Sequence, residues 1–277
     1  MNMNNELDAA FSDLLAARCT PDVVRLIDSG NSAGTNTLWQ HLEDSGFLDA
    51  LVPEDQGGAG LALRDVLGLV QACGQHALPL PFAETMAARA VCALAGQAAP
   101  IGPVALDAVA RWLPADTLRT LQATLNAGLI AGAGTRVLQL SLDHAQQRVQ
   151  FGKPIGSFQA VQHQLAVMAE QASSARMAAQ LAFSSFTHLP QPLLAAMAMT
   201  VAGEAANTLV SGSHAVHGAI GITAEYELQL YTRRLLAWRT AAGSPAYWSQ
   251  QVAAHWLQAG GCDTVNFALH AFEQAAT

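Results

Sequence analysis

Three observations predict an all-α fold. Apolar residues recur at helical spacing along nearly the whole chain, helix-start signals punctuate it, and no stretch alternates apolar and polar with a clear period of two. Composition agrees: of 277 residues 51% are hydrophobic, 12% charged and only 6% aromatic, and the abundance of Ala and Leu suits close-packed helices. A chain of this length buries a sizeable core in one or two domains. The Pro/Gly-rich stretch Gly96-Gln97-Ala98-Ala99-Pro100-Ile101-Gly102-Pro103 reads as the linker, giving an N-terminal helical domain over 1–100 and a C-terminal helical bundle over 101–277.

Thr20-Pro21 pairs an N-cap with a first-turn proline, and Val23, Val24, Leu26 and Ile27 follow at helical spacing. A helix starting near Thr35 or Asn36 carries Leu38, Trp39 and Leu42 and stops at Gly46. The loop Pro53–Gly60 is Gly-rich and needs positive backbone angles. Helices are expected at about 63–75 and 82–96, before the linker. Pro114 or Asp116 then opens a periodic segment running to Arg148, roughly 50 Å long at ~1.5 Å per residue, which is bundle geometry. Further helices are expected at about 158–187, 192–215 and 225–240. Another follows at 245–259 behind the cap and proline of Ser244-Pro245, and Asp263 caps the last.

The formal net charge of −8 argues against an electrostatic nucleic-acid binder or anionic-membrane binder, so any phosphate site must be local. Cys19, Cys73, Cys92 and Cys262 are far apart with no CxxC pair, favouring a reduced, cytoplasmic protein over a disulfide scaffold; metal binding has no support. Met1-Asn2-Met3-Asn4-Asn5-Glu6 lacks the regions of a signal peptide. The Ala/Leu stretch from Leu125 to Leu142 is broken by Asn126, Thr135, Arg136, Gln139 and Ser141, and reads as a buried bundle helix and not a membrane span.

The most informative stretch is 148–163, Arg-Val-Gln-Phe-Gly-Lys-Pro-Ile-Gly-Ser-Phe-Gln-Ala-Val-Gln-His. It joins two long helices through a turn whose chemistry suits an anionic dinucleotide. Arg148 offers a planar, permanently charged fork for a diphosphate, and Phe151 offers a flat apolar face. Gly152 is of the kind that ends helices, and Ser157 of the kind that caps the next. From the residues alone, a surface helix–turn–helix with a solvated arginine is the favoured reading of the pattern.

The block resembles the flavin-contacting turn of the acyl-CoA dehydrogenase family, an Arg-x-x-Phe-Gly-x-x-Ile-x-x-Phe-Gln pattern. Residues 38–61, with Val52-Pro53-Glu54 and Gly57-Gly58, resemble the family's N-terminal helical domain, and 216–234 resembles its Gly-rich turn near the same cofactor. The resemblance implies FAD as cofactor, with contacts from Arg148, Gln150, Phe151, Ile155, Phe158 and Gln159 on the first turn and Ala215, Gly218 and Ala219 on the second. It spans nearly the whole chain but only two of the family's three domains. Between the N-terminal helices and the bundle the family places a β-barrel that holds the flavin ring; here about a dozen residues stand where roughly a hundred, a small domain's worth, are expected.

Desaturation of an acyl thioester in this family needs a carboxylate to take the α-proton while the flavin accepts a β-hydride. Counted without gaps, the usual glutamate position falls on Ala242, before Gly243-Ser244, and the alternative position, on the helix before the Arg turn, falls at or beside Gln122. Neither residue is a base. Glu225 is expected as a cap or packing residue, and Asp143 and His144 as interhelical polar partners. His163 and His217 are expected among apolar residues, and Arg233 and Arg234 in ion pairs. The resemblance thus implies an auxiliary subunit of an FAD-dependent heteromeric acyl-CoA dehydrogenase, of the kind that includes steroid-degrading members. It would associate as a homo- or hetero-oligomer with a barrel-containing subunit, share its FAD and act on an acyl-CoA. The competing expectation is a non-catalytic helical scaffold, or an acyl-CoA- or partner-binding protein, derived from the family.

Overall fold

The computed structural model describes residues 3–261 and 263–275; Met1, Asn2, Cys262, Ala276 and Thr277 lie outside them. The N-terminal part contains α1 (Met3–Arg18), α2 (Pro21–Asp28), α3 (Ser32–Asp44), α4 (Leu67–Gln75) and α5 (Phe82–Leu94). The bundle contains α6 (Ala115–Gln147), α7 (Gln159–Ala182), α8 (Pro192–His217), α9 (Leu228–Ala241), α10 (Pro245–Gln258) and α11 (Thr264–Ala275). Among the described residues the strands are β1 (Val149–Gln150) and β2 (Lys153–Pro154), one antiparallel hairpin too short to leave a period-two pattern. Among the described residues the fold is all-α, with no barrel.

Several starts follow the cap chemistry. Thr20 Oγ1 accepts from Val23 N at 3.5 Å, Ser244 Oγ from Tyr247 N at 3.1 Å, and the Asp263 carboxylate from Asn266 N at 3.3 Å. Helix α3 begins earlier than Thr35, because Asn31 Oδ1 accepts from Gly34 N at 2.7 Å and is the effective cap. Helix α7 stops at Ala182, short of 187. Ser184 and Ser185 hydroxyls turn back on the local backbone and Thr187, while the carbonyls of Ser185 and Thr187 accept from Arg64 N at 3.2 Å and Leu63 N at 2.9 Å. Helix α9 starts only at Leu228, because Arg25 of α2 takes the carbonyls of Ala224 (3.1 Å) and Glu225 (2.8 Å); Glu225 contributes its backbone and not a cap.

Helix α6 runs through the molecule against α4, α7, α8 and α9. Its contact with α4 is backbone to backbone: a Cβ on Gly132 would lie 2.0 Å from Gln71 O, and one on Gly74 would lie 2.1 Å from Leu129 O. Most of the buried apolar residues, from Phe11 to Trp248, form one continuous cluster, with Leu194 and Ala271 in a second, smaller one. In the N-terminal part, Phe11 packs between Phe82 and Phe47, with ring centroids 4.6 and 5.1 Å away. Arg89 is buried and pairs with Glu43 and, at 3.0 Å, with Asp49. In the loop after α3, Gly57 and Gly60 have positive φ as expected, and a Cβ on Gly58 would lie 2.1 Å from Val52 O. Arg234 reaches from α9 to Asp28 of α2 at 2.9 Å, the ion pair expected of it. Residues Pro192–Ile222 are long and apolar enough by composition to cross a bilayer, but over half of the most apolar window is buried in the bundle.

Candidate functional site

The turn after α6 is more sharply built than a helix cap. Phe151 (φ +52°) and Gly152 (φ +80°) are both left-handed and form the two-residue connection of the β1–β2 hairpin, in which Val149 pairs with Pro154 and Gln150 with Lys153. Gly152 therefore closes a hairpin; the helix has already ended at Gln147, with Arg148 N bonded to His144 O at 2.9 Å. Ser157 caps nothing: its hydroxyl donates to Pro154 O at 2.8 Å and ties the hairpin down, and α7 begins behind Phe158 without a side-chain cap. Ile155 N donates to Arg148 O at 2.8 Å, which fixes the base of the hairpin.

The hairpin presents its chemistry outward. Phe151 is 91% exposed, a strained left-handed residue holding an apolar ring in solvent, with Phe158 edge-on at 6.1 Å. Arg148, Gln150 and Gln159 are exposed, and among the described residues the Arg148 guanidinium has no ion-pair partner. Ile155 and Phe158 are half-buried beneath them. The second turn starts at Gly218, whose φ of +63° breaks α8. Ala215, Gly218 and Ala219 are exposed. Gly221 packs so tightly that a Cβ would meet His217 Cβ at 3.0 Å.

A contact that sequence reasoning missed joins the two turns. His144 stacks on His217, with ring centroids 4.4 Å apart and planes at 26°. His217 Nδ1 lies 2.8 Å from Ser213 O and Nε2 lies 3.2 Å from Tyr226 Oη. His217 is thus the hydrogen-bonded packing residue expected of it, and His144 is an interhelical partner, though through its ring face. His163, expected among apolar residues, is exposed on α7. Asp143 is bonded within its own helix, by Gln139 at 2.8 Å. The spacing held a signal for the pair: His144 is one helical turn before Arg148, and His217 directly precedes Gly218.

Gln122 of α6 and Ala242, just past α9, line one cavity of about 610 Å³ with Leu106, Leu118, Arg119 and Tyr247. One carboxylate lines this cavity among the described residues, and a second stands behind its wall, lining a neighbouring cavity. Asp107 is on its wall, and Glu84 accepts from Gln122 Nε2 at 3.3 Å and from Leu106 N at 2.9 Å, so both its oxygens are engaged. Glu84 is 38 residues from Gln122 in sequence, and only the packing of α5 on α6 brings them together. Gln122 and Arg148 lie roughly 39 Å apart along α6 at about 1.5 Å per residue, too far for one dinucleotide to touch both.

Residues 119–257 match the model of the acyl-CoA dehydrogenase C-terminal domain. The chain is 30% identical to the acyl-CoA dehydrogenase IpdE2 of Mycobacterium tuberculosis (strain ATCC 25618 / H37Rv), over 82% of this chain and 89% of that one. It belongs to the acyl-CoA dehydrogenase family. Solved structures that share the fold over nearly the full length include the ChsE4-ChsE5 complex from Mycobacterium tuberculosis (TM-score 0.73, 16% identity, 93% of this chain and 98% of that one). Another is the Tcur3481-Tcur3483 steroid ACAD G363A variant (TM-score 0.77, 18% identity, 94% and 99%). The family is FAD-dependent. The residues of the two turns suit that cofactor: an unpaired guanidinium for a diphosphate, an exposed aromatic face, and a glycine at Gly218 with open space where a side chain would stand.

Proposed function

We propose that this protein is the auxiliary subunit of a heteromeric FAD-dependent acyl-CoA dehydrogenase, which introduces an α,β double bond into an acyl-CoA thioester. It contributes to a flavin site held mainly by a barrel-containing partner. The observation that carries the reading is the hairpin turn, fully built and presented to solvent in a chain whose described residues form no barrel to hold a flavin ring. In this reading Arg148 pairs with the diphosphate and Phe151 covers an apolar face of the dinucleotide, while Gly218 and Ala219 allow its close approach. FAD supplies the hydride acceptor; this chain's residues bind and orient it. Gln122 and Ala242 leave the chain's own base positions without a proton acceptor, so proton removal falls to the partner. The relatives' names support the heteromeric and steroid-related parts of the reading, since ChsE4-ChsE5 is a complex and the Tcur3481-Tcur3483 protein is a steroid acyl-CoA dehydrogenase.

Co-purification with the product of an adjacent reading frame tests this. A yellow complex that reduces an electron acceptor in the presence of an acyl-CoA is the expected result. A colourless homodimer that takes up neither flavin nor a barrel-containing partner would replace the reading with that of a non-catalytic scaffold.

A further inference from the structure

The His144–His217 stack sits between the two turns that the proposed flavin contact uses. Arg148 follows His144 by one turn of α6, and Gly218 follows His217 directly. Tyr226, from the segment leading into α9, closes over the pair, with its ring 5.2 Å from His217 and 6.3 Å from His144. We infer that His144 and His217 are positioning residues that hold the Arg148 turn and the Gly218 turn in one arrangement as an uncharged ring stack, and that proton uptake by the stack releases both turns together and weakens the flavin contact. The inference rests on the proposed cofactor role of the turns.

Burial first, and then the basic groups around the stack, favour the uncharged state. On α6 and just past it, the charged neighbours of His144 are Arg148 and Asp143, the latter already bonded by Gln139. From α8 come His217 itself and His214, whose buried Nδ1 has no hydrogen-bond partner. From the segment before α9 come Tyr226 and Glu227, the latter paired with Arg136 at 3.1 Å. Burial, and then Arg148, push His144 below the ordinary imidazole value of 6.5. Burial also pushes His217 down, with His144 and His214 adding to it, against the opposing pull of the Ser213 and Leu140 carbonyls. A base whose folded value is lowered binds fewer protons than in the unfolded chain, so the contribution of the stack is fully present above about pH 6.5 and is lost as pH falls through the lowered folded values of the two imidazoles.

The experiment measures FAD affinity of the complex with its partner between about pH 8 and pH 5.5. Wild type should lose affinity towards the acid end of that range, by no more than about tenfold per pH unit for each proton taken up. His144→Phe, which keeps an aromatic face that takes no proton, should flatten the profile, whereas His144→Ala, which removes the face, should weaken binding at every pH. A flat wild-type profile, or equal slopes in wild type and His144→Phe, would overturn the inference. Arg148→Ala in the same complex separates the two layers: unchanged affinity removes the flavin reading itself. In that event hydrogen exchange on the isolated chain reads the stack alone. Amides 149–153 and 218–222 should open together at low pH, after correction for intrinsic rates, in wild type and not in His144→Phe; independent or absent opening counts against the stack.

Discussion

At Arg148 the energetics of the turn reduce to one charge-assisted contact. If its guanidinium meets a diphosphate, Arg148→Ala should cost roughly 1.5–3 kcal/mol, or about one to two decades in FAD affinity. Arg148→Lys should recover only part of this, since an ammonium keeps the charge but not the fork. Titrating FAD into the partner complex checks this, and an unchanged affinity for Arg148→Ala would return the arginine to solvent decoration. Phe151 allows a test in which stability and binding move in opposite directions. Its left-handed backbone costs roughly 1–2 kcal/mol for an ordinary residue, and asparagine tolerates that conformation far better. Phe151→Asn should therefore stabilise the isolated chain by up to about 1 kcal/mol in urea unfolding while weakening FAD retention. A variant that loses stability would mean that the exposed ring packs at home and is not held out for a ligand.

At the scale of elements, the α4–α6 crossing shows how glycines set a helix contact. Gly132 faces the backbone of Gln71, whereas a Cβ on Gly134, one half-turn away, would meet only the flexible Leu209 Cδ1 at 2.8 Å. Alanine gains about 1 kcal/mol of helix propensity at either site. At Gly134 the leucine end can move and the change should be near neutral. At Gly132 the backbone cannot move without parting the helices, so Gly132→Ala should lose roughly 1–3 kcal/mol despite the propensity gain. Thermal or urea unfolding of the two variants side by side decides it, and equal effects would mean that the helices slide freely. Most element boundaries in this region were legible from caps and prolines, as at Thr20, Ser244 and Asp263. The misses at α3, α7 and α9 share a cause. A side chain or a distant residue satisfied the terminal backbone groups: Asn31 locally, the segment at Leu63 and Arg64 for the residues after α7, and Arg25 before α9.

For the whole molecule, missing the barrel has two consequences. Apolar groups remain in solvent around the two turns, with Phe151 at 91% and Ile222 at 71% exposure, and Val149 and Ile220 also uncovered. The isolated chain should therefore associate, and light scattering after size exclusion should find no stable monomer at micromolar concentration. Chemistry should also be absent from the isolated chain. Ala242→Glu should not restore acyl-CoA dehydrogenase activity, because one substitution supplies a carboxylate at the cavity but no pocket for the flavin ring. Turnover by the purified wild-type chain with added FAD would overturn this and turn attention to Glu84 and Asp107 as shifted bases.

The sequence alone determined the all-α class, the family, the residues of both turns and the identities of Gln122 and Ala242, because caps, periodicity and short motifs are local in the chain. It did not determine that Phe151 and Gly152 make a hairpin instead of a helix end, since the left-handed φ of a phenylalanine is imposed by the strands on either side. Nor did it show His144 against His217, Glu84 behind Gln122, or Gln122 and Ala242 facing a single cavity. Those contacts join residues far apart in sequence across helix faces, and their geometry depends on how closely α5, α6 and α8 pack, which only the tertiary structure fixes.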